Sequence, residues 1–139
     1  MFQKILLASD GSKHALRAAE KAAHLAHLDQ DATVTIAFVV DGSKSKSDVL
    51  SQESRELIEY KRKESLHETE RYFEEQNVPF EVKILKGEPG PTLIKVANEQ
   101  EYDLVILGSR GLNTLQEMVL GSVSHKVAKR ANCPVMIIK

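Results

Sequence analysis

The residues best suited to chemistry lie in a stretch that contains three glycines, between positions 108 and 124. It begins with Gly108-Ser109-Arg-Gly111 and ends with Gly121-Ser122-Val123-Ser124. Glycines three residues apart let the backbone turn sharply and approach a ligand without a Cβ in the way. A Gly-Ser pair at the start of a helix offers free N–H groups to an anion. This stretch therefore predicts a phosphate-binding site.

Two common phosphate-binding motifs do not describe this stretch. A Walker A loop requires a Lys-Ser or Lys-Thr pair at a fixed distance from its first glycine, and that pair is missing here. A dinucleotide-binding loop requires the G-x-G-x-x-G arrangement, and the glycine spacing differs from it. The pattern thus favours a nucleotide site of another kind.

Strands and helices alternate along the chain, which predicts a parallel sheet with helices on both faces. The apolar and β-branched runs predict strands at Lys4–Ser9, Thr33–Val40, Phe80–Leu85, Leu104–Leu107 and Val135–Ile138. The helical patterns run over Lys13–Leu28, Val49–Gln76, Thr92–Glu99 and Ser122–Ala131, with a turn at Lys86–Pro91. We expect one domain over residues 1–139.

Residues that could contact a ligand lie at the ends of three of these strands. Ser9 ends the first strand and Asp10 follows it, Val39 lies near the end of the second, and Gly108 follows the fourth. In an open parallel sheet, ligands bind at the carboxyl ends of the strands, where the strand order reverses. If the first and fourth strands are neighbours, these groups converge on one site.

Composition excludes several classes of partner. The chain has 139 residues, a formal net charge of −1 and 28% charged residues, so no basic excess indicates nucleic acid or a membrane surface. The apolar run at the start is too short for a signal peptide, and no run approaches the roughly 20 residues of a membrane span. The single cysteine, Cys133, cannot form an internal disulfide, so we expect a reducing, cytoplasmic environment.

The glycine spacing and the order of elements together resemble the ATP-binding branch of the universal stress protein family. The resemblance covers the whole chain and depends on three segments, Lys4-Ile-Leu-Leu-Ala-Ser-Asp-Gly-Ser12, Gly108-x2-Gly111-x9-Gly121-Ser122 and Cys133-Pro-Val-Met-Ile-Ile138. It implies an open, Rossmann-like sheet of the adenine nucleotide alpha hydrolase type, with strand order 3-2-1-4-5. One position departs from the pattern, because Phe38 stands where the family often has histidine.

The resemblance also implies that ATP lies between the ends of the first, second and fourth strands. Asp10 would accept a hydrogen bond from the ribose or base, or hold Mg²⁺ through Mg-ATP, and Val39 would touch the adenine. ADP and AMP would share these contacts. The implied nucleotide-binding residues are Ala8, Ser9, Asp10, Val39, Leu107, Gly108, Ser109, Gly111, Gly121, Ser122, Val123 and Ser124.

Three functions stay open at this point. The chain is a nucleotide-binding regulator or sensor of the stress response, a slow ATPase, or an adaptor that acts through a protein partner. Hydrolysis needs a base and charge stabilisation at the γ-phosphate, and no residue pair suggests itself for that work. His24 and His27 share a helix face without a third ligand, so no protein metal site is predicted.

The last strand suggests an assembly. Val135–Ile138 is apolar throughout and lies at the sheet edge in the implied strand order. Apolar edge strands pair with other chains unless something blocks them. The sequence and the resemblance therefore both predict a homodimer through this strand.

Overall fold

Five parallel strands form one sheet in the computed structural model, which describes residues 2–10, 13–40, 52–109 and 121–139. The strand order is β3-β2-β1-β4-β5, and every pair of neighbours is parallel. The predicted fold class is thus confirmed. The strands are β1 (Lys4–Ala8), β2 (Thr33–Val40), β3 (Phe80–Lys86), β4 (Leu104–Gly108) and β5 (Val135–Ile138).

Helices cover both faces of the sheet. In the described residues they are α1 (Lys13–Ala26), α2 (Gln52–Glu75), α3 (Pro89–Glu99) and α4 (Ser122–Arg130). None of these helices is long and apolar enough to cross a membrane.

Helix α3 begins earlier than the sequence predicts. The prediction of a turn through Pro91 is wrong, because the helix begins at Pro89. Proline suits the first helical turn, where its fixed φ is already helical and its missing N–H would have no partner. Gly87 supplies the actual break, since its φ of +138° is a glycine conformation and an added Cβ would lie 2.6 Å from the Thr92 Oγ1.

The core is divided between the two faces of the sheet. On one, which we call the α1/α2 face, Ile5 and Leu7 pack with small residues of α1 and with Leu66 and Phe73 of α2. The small residues are Ala18, Ala19, Ala22, Ala23 and Ala26. On the other, the α3/α4 face, sheet residues Leu6, Val105 and Leu107 pack with Leu93, Val96 and Val127.

The Asp103 carboxylate joins the amino ends of β1 and β4. Its Oδ2 accepts hydrogen bonds from the backbone N–H of Gln3 at 3.1 Å and of Lys4 at 2.9 Å. The Asp103 N–H in turn donates to the Lys4 carbonyl at 2.8 Å. Asp103, which directly precedes β4, thus holds the start of β1 against β4 through both its side chain and its backbone.

A second group of polar side chains crosses the same end of the sheet. The buried Tyr102 hydroxyl donates to Thr35 Oγ1 at 3.0 Å, and Thr35 Oγ1 donates to Glu81 Oε1 at 3.1 Å. The Lys4 ammonium lies 4.6 Å from the centre of the Tyr102 ring, a cation–π geometry. Each buried hydroxyl here therefore has a partner.

Candidate functional site

The carboxyl ends of β1, β2 and β4 lie side by side, as the sequence predicts. In the ladders, Ala8 of β1 lies opposite Ala37 of β2, and Leu7 of β1 lies opposite Ile106 of β4. The strand order changes direction at β1, because β2 and β3 extend to one side and β4 and β5 to the other. This is the position at which open parallel sheets bind ligands.

Three of the predicted site residues share one face of the sheet. Ala8, Val39 and Leu107 all pack within the core on the α3/α4 face. Ala8 and Val39 are partly exposed, whereas Leu107 is buried. These apolar side chains come from three adjacent strands, and Ala8 and Val39 leave apolar surface accessible at the strand ends.

Ser9 and Asp10 continue β1 at this end. The Ser9 N–H donates to the Ala37 carbonyl at 3.0 Å, so the β1–β2 ladder extends one residue beyond the strand. Alternation along a strand then places the buried Ser9 side chain on the α1/α2 face with Leu7. Asp10 is half-buried and follows directly. Ser9 therefore borders the α3/α4 face with its backbone only.

The amino end of α4 is tied to the end of β4. The Gly121 N–H donates to the Ser109 carbonyl at 2.8 Å, and the first helical bond runs from the His125 N–H to the Gly121 carbonyl at 3.0 Å. Gly121 has extended φ and ψ of −62° and 155°, and the helix has no side-chain cap. Backbone N–H groups in the first helical turn have no acceptor within the helix.

These first-turn N–H groups belong to Ser122, Val123 and Ser124. No acceptor for them lies among the described residues. They converge beside the ends of β1 and β4, where the helix dipole adds partial positive charge. The structure thus brings together, at one end of the sheet, every described residue of the predicted site. Gly111 lies outside the described residues.

Two buried serines at this end differ in their hydrogen bonding. The Ser124 hydroxyl donates to the Gly108 carbonyl at 2.8 Å. The Ser109 hydroxyl has no partner among the described residues, although the residue is only 4% exposed. The family resemblance implies that both serines bind the nucleotide, and nothing in the sequence distinguishes a serine that bonds a nearby carbonyl from one that does not.

The described histidines and Cys133 do not form a second site. His24 and His125 are exposed, and His27 Nε2 lies 2.8 Å from the Gln76 carbonyl. Among the described residues, no three His, Cys, Asp or Glu side chains could hold a metal ion. Burial raises the pKa of the Cys133 thiol, as expected of a small apolar packing residue.

Comparison with known proteins agrees with this geometry. The model of the universal stress protein family matches residues 1–139. The universal stress protein YxiE of Bacillus subtilis is 33% identical, over 100% of both chains.

Two solved structures extend the comparison to three dimensions. The MJ0577 structure, from a protein of Methanocaldococcus jannaschii, is 27% identical with a TM-score of 0.87, over 100% of this chain and 96% of that one. A universal stress protein in complex with cAMP is 26% identical with a TM-score of 0.72, over 99% of this chain and 96% of that one.

Proposed function

The chain belongs to the universal stress protein family, and from that premise we propose that it binds an adenine nucleotide at the carboxyl ends of β1, β2 and β4. One observation carries the proposal. The first turn of α4 presents backbone N–H groups that have no acceptor among the described residues, beside the switch point of the sheet. Such a helix end is suited to a phosphate. The similar structure that contains cAMP supports the same class of ligand.

In the proposed complex, the adenosine lies on the partly exposed Ala8 and Val39, and Asp10 accepts a hydrogen bond from the ribose or base. The backbone of Leu107, Gly108, Ser109 and Gly111 passes under the ribose and phosphates, and Ser9 contributes through its backbone. The phosphates lie at Gly121, Ser122, Val123 and Ser124. The apolar surface and the helix end supply the two halves of a nucleotide, an aromatic base and an anion.

We further propose that ATP is the cellular ligand, with Mg²⁺ held by its phosphates, and that ADP and AMP compete for the site. All three share the adenosine contacts. Occupancy would then follow their relative concentrations, and a cytoplasmic regulator of the stress response could respond to the energy state of the cell. Binding rather than turnover is the proposed activity.

The experiment that tests the proposal has two arms. Protein purified without added nucleotide is denatured, and the released small molecules are identified by mass spectrometry. Calorimetry then measures the affinity of the ligand-free protein for ATP, ADP and AMP. A protein that releases no adenine nucleotide and binds none of the three would refute the proposal. ADP released over time from bound ATP would instead indicate an ATPase.

We also propose that the protein forms a homodimer through β5. All four side chains of β5 are partly exposed and apolar, and the strand lies at an edge of the sheet. The carbonyls of Pro134 and Ile138 accept hydrogen bonds from the β4 side. Backbone groups alternate in direction along a strand, so the N–H and C=O of Met136 also face β4. The N–H and C=O groups of Val135 and Ile137 face outward. A second copy could pair with the outward groups.

Sedimentation tests the dimer with a pair of proline variants. Ile137→Pro removes an outward N–H, so we expect a folded monomer at tens of micromolar, where the parent chain sediments as a dimer. Met136→Pro removes an N–H that faces β4, so we expect this variant to lose stability. A monomeric parent chain, or a dimer that persists in a folded Ile137→Pro variant, would contradict the proposed interface.

A further inference from the structure

The two buried serines at the amino end of α4 have different amounts of hydrogen-bonding capacity left for a ligand. A serine hydroxyl carries a single proton to donate. Ser124 already donates this proton to the Gly108 carbonyl at 2.8 Å and is only 2% exposed. Ser109 has its proton unused, with no partner for Oγ in the part of the chain that the structure describes.

The backbone of Ser109 fixes the direction of its side chain. Its N–H donates to the Ile138 carbonyl at 2.8 Å, just as the Val105 N–H donates to the Pro134 carbonyl at 3.0 Å. Ser109 therefore continues the β4 ladder in phase with Val105 and Leu107, both of which lie on the α3/α4 face. The Ser109 side chain points to that face, beneath the first turn of α4. There the Gly121 N–H donates to the Ser109 carbonyl.

We propose that Ser109 supplies the hydroxyl that binds the nucleotide phosphate, and that Ser124 is a positioning residue whose hydroxyl holds α4 in place. This inference rests on the proposed nucleotide site and assigns separate roles within it. Ser109 Oγ and the first-turn N–H groups all donate, and the oxygens of a phosphate ester are acceptors. The ligand class is thus a phosphorylated adenine nucleoside rather than the free nucleoside.

A phosphate would also explain why the Ser109 hydroxyl has no partner in the described part of the chain. A buried polar group without a partner is unfavourable, and most such groups in proteins are satisfied. Rotation about χ1 moves a serine Oγ among three staggered positions, so it can turn toward an anion at the first turn of α4. A bond to a charged acceptor is stronger than one to a neutral group.

The hydrogen bond from Ser124 has a structural role. It joins the third residue of α4 to the last residue of β4. Together with the bond from Gly121 to Ser109, it fixes the first turn of the helix against the strand end. Loss of the Ser124 hydroxyl would leave the Gly108 carbonyl without this donor and would let the first-turn N–H groups move out of alignment.

The test compares Ser109→Ala with Ser124→Ala in the full chain, by calorimetry with AMP and adenosine and by thermal unfolding without ligand. For Ser109→Ala we expect AMP affinity to fall about tenfold, adenosine affinity to stay within about twofold, and Tm to stay equal or rise. For Ser124→Ala we expect AMP affinity to fall, adenosine affinity to persist and Tm to fall by about 3 °C. Ser124→Thr keeps the hydroxyl and should restore both AMP affinity and Tm.

Three results would overturn the inference. If the parent chain binds AMP and Ser109→Ala binds it equally well, Ser109 does not bind the phosphate, although the proposed function stands. If Ser109→Ala lowers Tm as much as Ser124→Ala does, the Ser109 hydroxyl has a structural partner. If the parent chain binds neither AMP nor ATP, the proposed function fails and this inference fails with it.

Discussion

Among the residues that the structure describes, the two ends of the sheet differ in how completely their polar groups are hydrogen-bonded. At the amino end, the Asp103 carboxylate accepts the N–H groups of Gln3 and Lys4, and the Tyr102 and Thr35 hydroxyls both donate. At the carboxyl end, the first-turn N–H groups of α4 and the Ser109 hydroxyl have no partner among the described residues.

This difference supports the proposed position of the site at the carboxyl end. Polar side chains occur at both ends, so polarity alone does not identify the site. A buried group left unpaired costs about 1–3 kcal/mol, and a ligand that pairs it removes that cost. We therefore expect substitution of Asp103 at the amino end to change mainly stability, and substitution of the proposed ligand contacts at the carboxyl end to change mainly affinity.

The largest effect is expected from Gly121→Val at the carboxyl end. The valine side chain would enter the space beside the first-turn N–H groups, so ATP affinity should fall at least about 100-fold, or about 2.7 kcal/mol. Valine adopts the φ of −62° and ψ of 155° of Gly121 without strain, so calorimetry should detect this loss while circular dichroism shows an unchanged fold. Unchanged ATP affinity would refute the phosphate site.

Asp10→Ala should have the next largest effect. The lost hydrogen bond to a charged acceptor is worth about 1.5–3 kcal/mol, so affinity should fall at least about tenfold for ATP and AMP alike. Titration of each nucleotide into the Asp10→Ala and Asp10→Asn variants measures this effect. If ATP affinity falls and AMP affinity does not, Asp10 acts on the metal or the outer phosphates instead.

Asp103→Ala tests the amino end. Two backbone N–H groups would lose their shared acceptor, so the free energy of unfolding should fall by about 1–2 kcal/mol. Asp103→Asn keeps an acceptor oxygen and should lose less. Urea denaturation gives these values, and calorimetry should show unchanged nucleotide affinity. Weaker nucleotide binding by the folded Asp103→Ala variant would mean that the two ends are coupled.

The smallest effect concerns Cys133, just before β5. Burial raises the pKa of its thiol, so the unfolded chain loses this proton at a lower pH than the folded protein. The contribution to stability is complete below the ordinary thiol pKa of about 8.5 and is lost as the pH rises through the higher folded value. Denaturation between pH 7 and 10 should show a small alkaline loss that Cys133→Ala lacks. An equal loss in both proteins would assign it to other groups.

Much of this fold could be predicted from the sequence, because strand periodicity and alternation with helices are local signals. The convergence of the predicted site residues could also be predicted, since the carboxyl ends of parallel strands meet at one edge. The start of α3 at Pro89 was missed because the same proline can end a strand or begin a helix.

Details that depend on register were beyond the sequence. The ladder between β4 and β5 determines that the backbone N–H of Met136 faces β4 and that of Ile137 faces outward. No feature of the four apolar residues of β5 indicates that choice. Likewise, the bond from Ser124 to the Gly108 carbonyl depends on how α4 lies against β4. Both are consequences of tertiary packing between segments far apart in the chain.

The position of β1 has a consequence for synthesis and folding. β1 precedes the other four strands in the chain, yet it lies at the centre of the sheet and pairs with β4, whose Leu104 lies opposite Ile5. One edge of β1 must therefore wait for its partner until residues 104–108 have emerged from the ribosome. Contacts so distant in sequence slow folding, and an unpaired apolar strand invites aggregation in the meantime. Because β4 and α4 are synthesised after the other strands of the site, the proposed phosphate site would be complete only when the sheet closes. A ligand that binds there would then stabilise the folded state by mass action.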